Sequence, residues 1–257
     1  MLKCLLVQIR KNRPVITLTL MFSCLLSTIP QFFLPDVYNS LSGQYPDLSH
    51  FYFLALPAFT HSPDMLARHL IGNLLVFLLF GSLTECLIGS KRLALISLVT
   101  FASTTCIDYL HTNWPNPLGG EFHGASGICW GYHVFFIFIL ILLYENMGRR
   151  VFKDAFVIGL LVLCAFDFFG IPVFEVVFAK QGFFRNFGQT LHLVSMIIVM
   201  PFLLVWRKEI ECNVQKLITM EPIEFENRKG KLSLILFGLL ICLNVYGAIR
   251  LIAISCT

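Results

Sequence analysis

Ser126 and His192 are of the types that carry nucleophilic acyl transfer. A serine hydroxyl is a weak nucleophile until a positioned base takes its proton. An imidazole titrates near neutrality and can return that proton to a leaving amine. Ser126 stands in Gly124-Ala125-Ser126-Gly127, after the breaker-rich stretch from Pro115 to Gly120, where a strongly apolar run begins. That position predicts the first turn of a helix, whose backbone N–H groups are unpaired and favour negative charge. An oxyanion forming beside Ser126 would meet such a donor. His69 and Asn73 are four residues apart, hence on one helix face, and could add two side-chain donors.

Each residue also has an ordinary explanation. Gly120-x-x-x-Gly124 and Gly127-x-x-x-Gly131 are small-residue patterns that let membrane helices pack closely, and Ser126 could be one more small residue. His192, or His69 with Asn73, could simply hydrogen-bond across helices. His123, three residues before Ser126, is a rival base. His133 reads as packing or interfacial, and His50, His61 and His111 as outer-loop residues meeting water.

The elements that must position these groups are membrane spans. Hydrophobic residues make up 57% and charged residues 13%, with 26 phenylalanines, against about 45–50% and 25% in a soluble domain. The mean hydropathy is +0.78. This predicts an all-α polytopic membrane protein. A spanning helix needs about 20 mostly apolar residues. Seven stretches qualify, near 15–34, 67–88, 92–112, 123–144, 154–178, 188–206 and 232–254. Val15–Leu34 is too long for a secretory leader and lacks a small-residue cleavage site, so a retained first span is expected. Pro35 to Leu66 is long and aromatic, and reads as a loop in or on the membrane surface.

Basic residues set the orientation. With the N-terminus cytoplasmic, all 19 Lys and Arg fall inside except Arg68, Lys180, Arg185 and Arg250. Ser126, His192, His69 and Asn73 then lie toward the outer ends of their helices. Intramembrane polar groups are costly and are functional candidates by default. Four of them converging on one depth favour serine-peptidase chemistry inside a bilayer. Short loops between spans point to a bacterial inner membrane.

Other chemistries fit less well. No His-Glu-x-x-His occurs, and Glu85, Asp167 and Glu175 do not pair with histidine at ligand spacing, so no metal is expected. Asp108 and Asp167 sit in different contexts, which disfavours an aspartyl peptidase. No glycine-rich phosphate loop is present, and no cofactor is expected. The net charge of +4 says nothing of nucleic acid, and none is expected as a partner. The nine cysteines follow no metal or disulfide spacing. No internal repeat suggests a transporter.

At these residues the chain resembles the rhomboid intramembrane serine proteases. The likeness runs through His69-Leu-Ile-Gly-Asn73, Gly81 and Glu85, then Gly124-Ala-Ser-Gly127 and Gly131, then His192. Phe59-Thr60-His61 resembles the family's Phe-x-His, with a longer gap to His69. The resemblance implies a six-helix core over about 15–206, after a cytoplasmic N-terminus at 1–14. A basic cytoplasmic loop at 207–231 and a seventh helix within 232–257 follow. It implies a catalytic dyad of Ser126 and His192 without an aspartate. The oxyanion pocket would come from the Ser126 amide, His69 and Asn73, supported by Gly124. Trp130, one turn after Ser126, stands where the family often has an aromatic ring against the catalytic histidine. Substrates would be single-span or other membrane proteins, met within the bilayer, and the fifth helix would be a lateral gate. A catalytically inactive relative that binds transmembrane clients is the alternative.

Two departures stand out. Ser195 and Val199 occupy places where the family usually has glycine, and Val199 is expected to push the two site helices apart. The Trp-Arg pair common in the family's first loop is missing between His50 and Thr60.

Overall fold

A computed structural model of the chain describes residues 1–33, 55, 59–61, 66–112, 125–167, 187–225 and 231–255. Among them the architecture is all-helical. The elements are α1 (Leu2–Asn12), α2 (Val15–Phe33), α3 (Leu66–Val76), a π-helical turn (Phe77–Gly81) and α4 (Ser82–Ile88). They continue with α5 (Ser90–Thr112), α6 (Ser126–Met147), a 3-10 turn (Gly148–Lys153), α7 (Ala155–Ala165), α8 (Phe187–Thr219) and α9 (Lys231–Ser255).

Polarity is inverted relative to a water-soluble domain. Ser23, Ser27, Thr28, Ser97, Thr100, Thr104 and Asn244 are buried, while Phe22, Val162, Leu204, Val205, Leu232 and Ile235 are exposed. Apolar side chains pointing outward suit lipid, and inside Ser27, Thr28 and Ser97 bond other side chains while Thr100 and Thr104 bond backbone carbonyls. Among the described residues, His69–Ile88, Ser126–Lys153 and Lys231–Arg250 are long and apolar enough to cross a membrane. Leu2–Asn12 and Val15–Ile29 qualify together but meet at 89°. Pro14 disfavours helical geometry at the residue before it. Arg13 accordingly leaves the helix, at a φ of 33°.

The expected spans at 92–112 and 188–206 are helical, within α5 and α8. Their hydroxyls are satisfied locally: Ser97, Thr100, Ser103, Thr104 and Ser195 each donate to a carbonyl one turn back. Of the expected span at 154–178, the described part runs to residue 167. Asp154 caps its start by accepting from the N–H groups of Phe156 and Val157.

Glu85 ties the early helices together. Its carboxylate accepts from the Ile16 and Thr17 N–H groups at 3.0 and 2.9 Å, and from the Thr17 and Ser90 hydroxyls at 2.8 and 2.6 Å. The first-turn donors of α2, which no helix can satisfy internally, thus end on a buried anion. Gly81 lies one turn earlier. A Cβ there would meet Thr17 Oγ1 and Tyr132 Cε2 at 3.2 Å, so glycine lets α2 and α6 close on the π turn. Tyr132 in turn shares a hydrogen bond of 2.7 Å with Ser97 of α5. The last helix, α9, packs on α5 and α2, with Ser27 donating to Asn244 Oδ1 at 2.8 Å.

The aromatic stretch expected to lie on the membrane surface is described at Ala55, Phe59, Thr60 and His61. All four are buried. This part of it is drawn into the bundle because Phe59 brings apolar area and His61 finds polar partners there.

Candidate active site

Ser126 is the first residue of α6, preceded by Ala125 outside helical geometry (φ −79°, ψ 11°). Its N–H therefore belongs to the unpaired donors of that helix end. His192 lies in the second turn of α8, 66 residues away in sequence. Its Nε2 is 2.8 Å from Ser126 Oγ. With Nε2 unprotonated, Ser126 donates its hydroxyl hydrogen to it, the geometry a general base needs.

Trp130 holds the imidazole from one face. The two rings stack with centroids 4.7 Å apart and planes 8° from parallel. The i, i+4 relation places Trp130 on the same face of α6 as Ser126. One helix thus supplies both the hydroxyl and the ring that orients its partner.

The two helices approach closely because small residues line the seam. A Cβ on Gly127 would come within 3.0 Å of Thr104 Cγ2 and 3.4 Å of Ser195 Oγ. At Gly131 it would meet Thr100 Cγ2 and Val199 Cγ2, both at 3.2 Å. Val199 is fully buried there. The splaying expected from Val199 does not occur: its bulk occupies the space that Gly131 leaves.

On α3, Asn73 is buried, and its carbonyl faces Cys129 Sγ at 3.8 Å, one turn along α6 from Ser126. Asn73 Nδ2 lies 2.8 Å from His61 Nε2. His61 Nδ1 is 3.1 Å from the Phe59 carbonyl and 3.2 Å from Thr28 Oγ1. A carbonyl only accepts, so Nδ1 carries the hydrogen and Nε2 accepts from the Asn73 amide. His69 is half-buried and meets His61 edge-on, with ring centroids 5.0 Å apart. The expectation that His61 meets water is therefore overturned. It is fully buried and links α2, the Phe59 segment and α3 behind Asn73. Its signal in the sequence was the Phe59-Thr60-His61 triplet, not its loop-like surroundings.

His133, expected to be packing or interfacial, is buried and carries a polar contact as well. Its Nε2 lies 2.9 Å from Asp167 Oδ2. Gly124, His123, His50 and the side chain of His111 lie outside the described residues. Among the described residues, no three His, Cys, Asp or Glu side chains are grouped to hold a metal ion.

Residues 49–174 match the family model for the Rhomboid domain. The matched stretch includes His69, Asn73, Ser126 and Trp130, while His192 lies beyond it. No curated protein and no solved structure matches the chain.

Proposed function

The chain belongs to the rhomboid family, and we propose that it is an intramembrane serine endopeptidase acting through Ser126 and His192. The observation that carries this reading is the 2.8 Å Nε2–Oγ contact across α6 and α8, with the imidazole stacked on Trp130. The reading takes six spans as the protease core and α9 as a seventh; three of the described helices are long and apolar enough to cross a membrane. In this reading the N-terminus is cytoplasmic and the site opens toward the outer face, as the distribution of Lys and Arg favours, and the short loops favour a bacterial inner membrane.

In the first step Ser126 Oγ attacks the scissile carbonyl and His192 Nε2 takes its proton. The carbonyl oxygen becomes an oxyanion, for which the Ser126 N–H at the helix start is a backbone donor. Asn73 spends one amide hydrogen on His61 Nε2 and keeps a second for the oxyanion. His61, anchored by Thr28 and the Phe59 carbonyl, orients that amide, and His69 adds a further donor beside it. His192 then gives its proton to the leaving amine, and the peptide C–N bond breaks. Water, activated by the same imidazole, hydrolyses the acyl-enzyme and restores Ser126. The substrate must present an extended backbone, so its helix has to unwind locally. Helix-breaking residues near the cut lower that cost, since each unpaired backbone group in lipid costs several kcal/mol.

Cleavage of a single-span reporter by the purified protein in detergent tests the reading, with Ser126→Ala and His192→Ala alongside. The expected result is product from the wild type alone. A wild type that binds the reporter but never cuts it would instead make the chain an inactive, client-binding relative.

A further inference from the structure

Asp167 is an ionisable side chain in an apolar helical run, and the reaction above makes no use of it. Val157, Leu160 and Cys164 form the buried stripe of α7, and Asp167 continues that stripe one step further. Its Oδ2 lies 2.9 Å from His133 Nε2, with side-chain exposures of 19% for the acid and 1% for the histidine. The other ring nitrogen of His133, Nδ1, is 2.9 Å from the Cys129 carbonyl. That carbonyl can only accept, so Nδ1 carries a hydrogen. Nε2 lies at ion-pair distance from Oδ2 without forming an aligned hydrogen bond to it. Side by side, two ionisable groups are better tolerated in a low-dielectric interior than either would be alone.

Nδ1 of His133 is thereby tethered, and the Asp167 side chain lies against the other end of the ring. It packs on Phe80 with centroids 4.9 Å apart and on Trp130 at 5.7 Å. Trp130 is the ring on which His192 stacks. A continuous line of contacts therefore runs from Asp167 through His133 and Trp130 to the base.

We propose that Asp167 and His133 are positioning residues for His192, acting through Trp130. This rests on the protease reading. Neither group touches the reacting atoms. In soluble serine proteases a carboxylate bonds the catalytic imidazole directly and fixes its orientation. Here the carboxyl group lies against a second imidazole, which braces the indole against the first.

A double-mutant cycle of Asp167→Ala and Trp130→Ala tests this, reading kcat and KM for a reporter and the rate of Ser126 labelling by a phosphonate. Misplacing a reacting group by about an ångström costs up to ~100-fold. Asp167→Ala is expected to lower kcat and the labelling rate by about 10-fold or more within that range, with KM unchanged. In the Trp130→Ala background it is expected to cost nothing further. His133→Phe, which keeps a ring but neither polar contact, should reproduce the pattern. Asp167→Asn, which still meets Nε2, should retain most of the rate. Losses that multiply in the double mutant, or a change confined to KM, would overturn the proposal. A second readout needs no activity: emission of Trp130 as sole tryptophan, after Trp114→Phe and Trp206→Phe. It should shift on Asp167→Ala, with or without Ser126. A wild type that neither cuts nor labels sinks the protease reading, whereas an unchanged emission sinks the coupling.

Discussion

Val199 of α8 packs against Gly131 of α6, where a Cβ on the glycine would lie 3.2 Å from the valine Cγ2. Bulk on one helix is met by its absence on the other, and the two site helices stay close enough for a 2.8 Å contact between Ser126 and His192. Restoring glycine at 199 should therefore harm the protein. Val199→Gly opens a cavity and adds backbone freedom within a helix, and should destabilise by about 2 kcal/mol or more. Gly131→Val should cost about 1–3 kcal/mol through overpacking. Thermal denaturation in detergent measures both.

Asn73 and His61 should differ in a graded way. Asn73→Ala removes the proposed side-chain donor to the oxyanion and is expected to cost about 100- to 1,000-fold in kcat. His61→Ala leaves the donor present but unanchored and should cost less, about 10-fold. Equal losses would mean that His61 itself contacts the reacting group. Steady-state kinetics on the reporter separates the two.

Glu85 should matter for stability and not for chemistry. Its carboxylate accepts four hydrogen bonds, two of them from the first-turn N–H groups of α2. Removing one partner of a buried hydrogen bond leaves the other unsatisfied, at about 1–3 kcal/mol per group. Glu85→Ala is thus expected to lower stability by about 3 kcal/mol or more, with kcat of the folded fraction little changed. Denaturation midpoints together with active-site titration check this.

Trp130→Ala should lower kcat about 10-fold or more by releasing the imidazole, while Trp130→Phe, which keeps a stacking face, should retain most of the rate. The comparison of kcat with KM decides whether the ring orients the base or binds the substrate.

The all-helical membrane architecture was legible because apolar runs of spanning length, broken by polar loops, have few other solutions. The i, i+4 relations were also legible: Ser126 with Trp130 and His69 with Asn73 follow from helix periodicity alone. What periodicity could not supply was which residues meet from different segments. His61 lies in a stretch of loop composition, and only the fold shows it enclosed by Thr28, Phe59 and Asn73. The π turn at Phe77–Gly81 leaves no mark in an apolar run, since leucine and phenylalanine suit either helical geometry. Val199 shows a further limit. A substitution on one helix has no predictable sign until the residue opposite it is known, and Gly131 is 68 positions away in sequence.

The central claim is that Ser126 is a nucleophile because His192 takes its proton. Labelling of the purified, folded protein with a serine-reactive phosphonate tests it most directly, with the adduct located by mass spectrometry. The account predicts an adduct on Ser126 in the wild type, none in Ser126→Ala, and labelling slowed to near background in His192→Ala. Labelling of Ser126 at an undiminished rate in His192→Ala, or no adduct on the folded wild type, would contradict it.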